Sequence, residues 1–174
     1  MSASASETAP EAFAFEAGPD VPNHDWPLVL YRGALRGASA ADATRRLAEN
    51  GWGGAWTNGV YAFTHYHSNA HEALAVVGGS ARLRFGGETG CAVEVAAGDV
   101  AVLPAGTGHE RVEASAGFSV VGAYPAGQHA WDLHRPDREA EPVPRSRVRT
   151  VPRPEADPLY GPGGPLLSFW TLPD

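Results

Sequence analysis

The 174-residue chain contains no lysine, so all 13 of its cationic residues are arginine. Schiff-base chemistry on a lysine amine is thereby excluded. Cys91 is the single cysteine, which rules out an intrachain disulfide and makes a reducing cytoplasm the expected compartment. It alternates with Val93 and Val95, the pattern of a small buried residue rather than a reactive thiol. No apolar run approaches the length of a membrane span. Met1 to Pro10 also lacks the basic start and apolar stretch of a secretory signal, so neither a membrane role nor export is expected. A Gly-rich phosphate loop, a dinucleotide fingerprint and a Gly-x-Ser-x-Gly elbow are all missing. The 20 acidic residues give a net charge of −7, and the arginines are spread rather than striped. Nucleic acid is therefore not an expected partner.

Turn formers are plentiful: 21 glycines and 15 prolines suit an all-β protein with many turns. The length fits one domain with a genuine core. Only Ser39 to Asn50 has a helical pattern, with Ser39 as cap, Asp42 three residues on, Leu47 as an apolar position and Gly51 as the stop. This helix is expected to pack beside a barrel. Leu28 to Tyr31 reads as an early strand, and Arg82 to Phe85 alternates cleanly. Gly86 to Gly90 reads as a hairpin turn into Cys91 to Val95, and Asp99 to Leu103 and Phe118 to Val121 supply further strands. The expected organisation is a flexible tail over 1–22, a barrel with its preceding helix over 23–128, and a proline-rich arm over 129–174. Six of the arginines fall between Arg135 and Arg153. The arm's last part, Pro165 to Trp170, is apolar enough to dock as a strand on its own barrel or on a partner.

Two stretches carry the chemistry: Gly59 to Glu72, and Gly98 to His109. Successive side chains in a strand point to opposite faces, so in an extended Tyr61 to His67 the residues Tyr61, Phe63, His65 and His67 share one face. Ser68-Asn69-Ala70 is small and turn-prone. Glu72, sharing a face with Leu74 and Val76, then returns a carboxylate beside the two histidines, and a later strand must bring His109. Three imidazoles and one carboxylate suit a single first-row divalent ion. An isolated His-x-His is usually surface or core histidine, and the plain alternative here is a barrel whose histidines hold a water network. His71, adjacent to Glu72, is expected to point away as a surface residue or one that backs the site.

These residues resemble the cupins, whose motifs are G-x5-H-x-H-x(3 or 4)-E-x6-G and G-x5-P-x-G-x2-H-x3-N. Gly59, His65, His67, Glu72 and Gly79 fit the first motif. Gly98, Pro104, Gly106 and His109 fit the second, with Glu113 where the family has Asn. Eighteen residues, Ser80 to Ala97, separate the two. Asn50-Gly51-Trp52, Trp56 to Gly59, Val121 to Pro125 and Asp157 to Gly161 extend the likeness to the YjlB-like bacterial single-domain cupins, from about Trp26 onward. The resemblance implies a double-stranded β-helix (jelly-roll) barrel with one short flanking helix. It carries no settled activity.

Three neutral imidazoles and one carboxylate on a divalent ion leave about one net positive charge and about two open positions on an octahedral ion, which favours an anionic oxygen chelate. One reading is therefore a metal-dependent oxidoreductase of the dioxygenase type, with Fe(II) favoured over Mn, Ni, Co, Cu or Zn, acting on a small anionic or phenolic substrate. A second is a non-redox isomerase or lyase of a sugar or keto acid, and a third is a metal- or ligand-binding protein without turnover. Glu72 is a candidate base. Tyr61 and Phe63 are candidates for an apolar mouth, and Arg111, two residues after His109, for holding a substrate carboxylate. A homodimer is expected.

Overall fold

The computed structural model describes residues 8–172. Nine strands and three short helices follow in the order β1 (Glu11–Phe13), β2 (Leu28–Tyr31), α1 (Ala40–Glu49), β3 (Trp52–Asn58), β4 (Glu72–Gly78), β5 (Ser80–Phe85), β6 (Cys91–Ala96), β7 (Val100–Leu103), β8 (His109–Ala114), β9 (Ser119–Pro125), α2 (Arg145–Val148) and α3 (Leu166–Phe169). They form two antiparallel sheets, β1-β2-β7-β4-β9-β3 and β6-β5-β8. This is the expected all-β jelly roll.

The strand parity explains the layering. On β4, Leu74 and Val76 enter the core between the sheets together with Leu28, Leu30, Leu83, Phe85, Ala101 and Val120. Ala73 and Ala75 face the other way, into a second apolar layer with Ala43, Leu47, Trp52, Leu159, Leu166 and Trp170. The large sheet is thus covered on both faces, which is why its central strands are continuously apolar. The small sheet is half exposed, and its outer face carries the ion pairs Arg82–Glu94 and Arg84–Glu110. Helix α1 forms as expected: the Ser39 hydroxyl accepts the Asp42 N–H, the Asp42 carboxylate accepts the Ser39 N–H, and Gly51 at φ +82° ends it.

Four expectations change. Part of the tail, residues 1–7, lies outside the described residues, but 11–13 form β1 against β2 and Val21 is fully buried. Tyr61 to His67 is not a regular strand. His65 bridges His109, and the next residue, Tyr66, bridges His134 in a different segment, so no continuous ladder forms. The Gly86 to Gly90 connection takes one tight helical turn at Gly87–Thr89. Finally, Pro165 to Trp170 docks on its own barrel as a helical turn, not a strand. The buried Asp157 carboxylate accepts the Leu166 N–H, and Trp170 donates its Nε1–H to the Pro27 carbonyl. Among the described residues, no helix is long and apolar enough to cross a membrane.

Candidate metal centre

Glu72 begins β4 on the inner face, opposite Leu103 of β7. His109 begins β8, where its backbone exchanges two hydrogen bonds with His65 (3.1 and 2.9 Å). The loop before it is held by Gly106, whose N–H donates to the His67 carbonyl at 2.7 Å and whose φ of +86° only glycine adopts cheaply. A Cβ there would also stand 3.0 Å from the Asn23 carbonyl. These links bring His67, Glu72 and His109 together, with one ligand atom of each within 4.8 Å of the other two. His65 is not in that group of three, but its ring stands 4.0 Å from that of His109, centroid to centroid, and lines the same cavity. All four side chains are buried.

The hydrogen bonds settle which ring nitrogens face inward. Nδ1 of His65 lies 3.0 Å from the Phe63 carbonyl, Nδ1 of His109 3.0 Å from the Thr107 carbonyl, and Nδ1 of His67 2.5 Å from the Asp132 carbonyl. A carbonyl only accepts, so each Nδ1 carries the proton and each neutral ring offers a lone pair at Nε2. His67 Nε2 and His109 Nε2 each stand 3.3 Å from a Glu72 oxygen. Lone pairs facing a carboxylate repel unless a proton or a cation lies between them. Glu72 Oε1 also has no hydrogen-bond donor, whereas Oε2 accepts from the Tyr124 hydroxyl at 2.8 Å. The donor set therefore fits a divalent ion of the imidazole-binding kind.

Electrostatics agree with this arrangement. Burial pushes the His65 ring down to about 2, and neighbouring His109 adds to the effect. At His67 burial also acts downward, but the Glu72 carboxylate outweighs it and the net direction is up. Burial raises the Glu72 carboxyl, yet His67 and His109 hold it well below the usual carboxylate range. The attraction that places a proton here is the one that would place a metal.

The site opens into a cavity of about 460 Å³. Tyr61 lines it and is 51% exposed, and exposed Arg111 lines it too. Among the described residues, Arg111 is the one arginine in the lining, and its guanidinium has no hydrogen-bond or ion-pair partner. Phe63 is not in the lining: it stacks behind Tyr61, and Arg135 sits over its ring at 3.6 Å. The bend at Ala62 and Phe63 that breaks the strand turns Phe63 outward. His71 is fully buried and not at the surface. It donates from Nε2 to the Pro152 carbonyl, accepts the Ala105 N–H at Nδ1, and lies outside the cavity lining.

Sequence reasoning missed three aromatic lining residues, Trp56, Tyr124 and Trp131. Tyr124 had a signal, since it follows Val120 and Gly122 on the inner parity of β9. Trp56 donates its Nε1–H to the Tyr124 hydroxyl at 2.7 Å. Its ring lies so close to Gly122 that a Cβ there would stand 2.3 Å from it. Trp131 follows the last strand and stacks on Tyr124 at 5.8 Å. No periodicity could have placed it.

The chain is 37% identical over 167 residues to YjlB, an uncharacterized protein of Bacillus subtilis (strain 168), a match covering 95% of this chain and 99% of that protein. No family model matches. Among solved structures, the coconut allergen cocosin has a TM-score of 0.39 at 20% identity over 47% of this chain. An oxalate decarboxylase variant of B. subtilis has 0.35 at 19% over 63%, and protein NMB1881 of Neisseria meningitidis 0.34 at 15% over 68%. The match spans 23% of the cocosin chain, 22% of the decarboxylase chain and 84% of the Neisseria chain.

Proposed function

The chain belongs to the family of the Bacillus protein YjlB, and on that footing we propose that it is a cupin acting as a metal-dependent oxidoreductase of the dioxygenase type, using one iron(II) ion on a small anionic or phenolic substrate. The observation that supports this most directly is the pair of Nε2 atoms of His67 and His109 facing the Glu72 carboxylate, with His65 beside His109 in the same aromatic-walled cavity. Iron held there would supply open coordination positions and one-electron chemistry with dioxygen.

The chain's own residues do the rest. In this reading His65, His67, His109 and Glu72 are the ligands, and the Tyr124 hydroxyl holds Glu72 through Oε2. Tyr61, Trp56 and Trp131 exclude water from the cavity wall, with Phe63 supporting Tyr61 from behind. The unpaired Arg111 guanidinium binds the substrate carboxylate or phenolate. Glu72 acts as base by leaving the ion at Oε1, the oxygen that Tyr124 does not hold. The protein works in the cytoplasm as a homodimer.

Elemental analysis of protein purified without air or chelator, with His67→Ala as control, tests the centre. Near-stoichiometric iron lost in the variant, with dioxygen uptake on a panel of 2-oxo acids, catechols and hydroxybenzoates, is the expected result. Zinc, nickel or manganese without dioxygen uptake would instead favour the non-redox isomerase or lyase reading. No metal above the level of the variant would overturn both and leave a binding barrel.

A further inference from the structure

We propose that Asp132, which lies beyond the last barrel strand, is a positioning residue that fixes the tautomer and orientation of the ligand His67. The three site histidines are held differently. His65 and His109 each donate Nδ1–H to a carbonyl two residues earlier in their own segment, Phe63 and Thr107. Those bonds are local and follow from the backbone path. His67 donates to Asp132, 65 residues away in sequence, so its acceptor must be delivered by another part of the fold.

The delivery is a clamp between residues 67–69 and 130–132. The Asp132 Oδ1 accepts the Ser68 N–H at 2.6 Å, and its Oδ2 accepts the Ser68 hydroxyl in a short bond. The Asp132 N–H donates to Asn69 Oδ1 at 2.9 Å, and Asn69 Nδ2 donates to the Ala130 carbonyl at 3.0 Å. His134 Nε2 lies 3.2 Å from both Asp132 Oδ2 and Ser68 Oγ, and its Nδ1 faces Glu139 at 2.9 Å. With both ends of Asp132 engaged, its carbonyl has one direction left, toward His67. The same clamp holds Trp131, whose ring meets that of His67 edge-on at 5.0 Å and lines the cavity. Metal-binding histidines are commonly oriented by a partner on their second nitrogen, and losing that partner weakens metal binding about 10- to 100-fold.

The inference deepens the metal reading and rests on it for affinity alone, because the tautomer is read without metal. The test compares wild type, Asp132→Ala, Asp132→Asn and Glu139→Gln, with Asn69→Ala as a milder break in the clamp at an exposed position. Long-range proton–nitrogen correlation spectra of the metal-free proteins, recorded at a pH where His67 is neutral, report which ring nitrogen is protonated. Zinc affinity is measured by chelator competition. Wild type is expected to show the Nδ1–H form at His67. Asp132→Ala and Asn69→Ala should show mixed forms at His67 alone, with zinc affinity falling about 10- to 100-fold in Asp132→Ala. Asp132→Asn keeps an acceptor for the Ser68 N–H and should stay close to wild type, as should Glu139→Gln, which leaves the clamp intact. An Nε2–H form in the wild type, or an unchanged tautomer in both clamp variants, would overturn the proposal. A wild type that binds no zinc while the clamp variants still mix tautomers would remove the metal centre and leave the positioning role standing.

Discussion

Tyr124→Phe isolates one polar link in the site. The ring stays, so no cavity opens, but the hydroxyl that donates to Glu72 Oε2 at 2.8 Å and accepts from Trp56 Nε1 at 2.7 Å is removed. A hydrogen bond to a charged group contributes about 1.5–3 kcal/mol. The Glu72 carboxylate is buried and its other oxygen has no donor, so no alternative donor makes good the loss. For a chain of this size each kcal/mol corresponds to about 2–4 °C in Tm, which predicts a fall of about 3–12 °C. The assay is thermal unfolding of the metal-free protein by circular dichroism, with Tyr61→Phe as control. The Tyr61 hydroxyl has no partner among the described residues, so that control should stay within about 0.5 kcal/mol of wild type. A Tyr124→Phe transition as close to wild type as the Tyr61→Phe control would refute the reasoning, because it would mean the hydroxyl does not hold Glu72 in solution.

Trp170→Ala removes a fully buried indole that stacks on Trp26 at 5.4 Å and should cost about 3–5 kcal/mol. Denaturant unfolding that shows a loss below about 1 kcal/mol would mean the C-terminal segment is not docked. Arg111→Ala should leave stability unchanged while weakening binding of small aromatic carboxylates about 10- to 100-fold, the worth of one charged hydrogen bond. Equal weakening for a neutral analogue would count against an anion anchor. Burial, largest of the causes, holds His24 down to about 4 and His71 down to about 3 against an ordinary 6.5. Both are neutral in the fold and take protons on unfolding, so they contribute stability that is full above pH 6.5 and is lost as pH falls toward 4 and 3. His65, pushed down by burial, and Glu72, held low by its histidines, act in the same direction, whereas His67, shifted upward by Glu72, opposes. The Tm of the metal-free protein should therefore decline below about pH 6.5, and a flat profile to pH 4.5 would contradict the buried neutral state of His24 and His71.

Much of the centre was legible along the chain because strand parity and motif spacing are local properties. Alternation on β4 placed Glu72 with Leu74 and Val76 on the inner face, and the cap, Asp42 and Gly51 bounded α1. The same alternation on β9 would have found Tyr124. Parity also put His65 and His67 on one side, although the segment is no strand: the backbone direction persists through its two bridges even where the ladder does not. Parity failed at Phe63, because the bend at Ala62 and Phe63 interrupts the alternation and leaves that ring out of the cavity lining.

The sequence by itself determined the fold class, the identity of the ligand-type residues and the boundaries of α1, because each depends on neighbours within a few positions. Tertiary structure alone decided the rest. It buried His71 against the Pro152 carbonyl, turned Pro165 to Trp170 into a helical cap on its own barrel, and brought Asp132 and Trp131 across 65 and 64 positions to His67. Such contacts are chosen by which surfaces remain to be covered once the sheets have formed, and no local pattern records that choice.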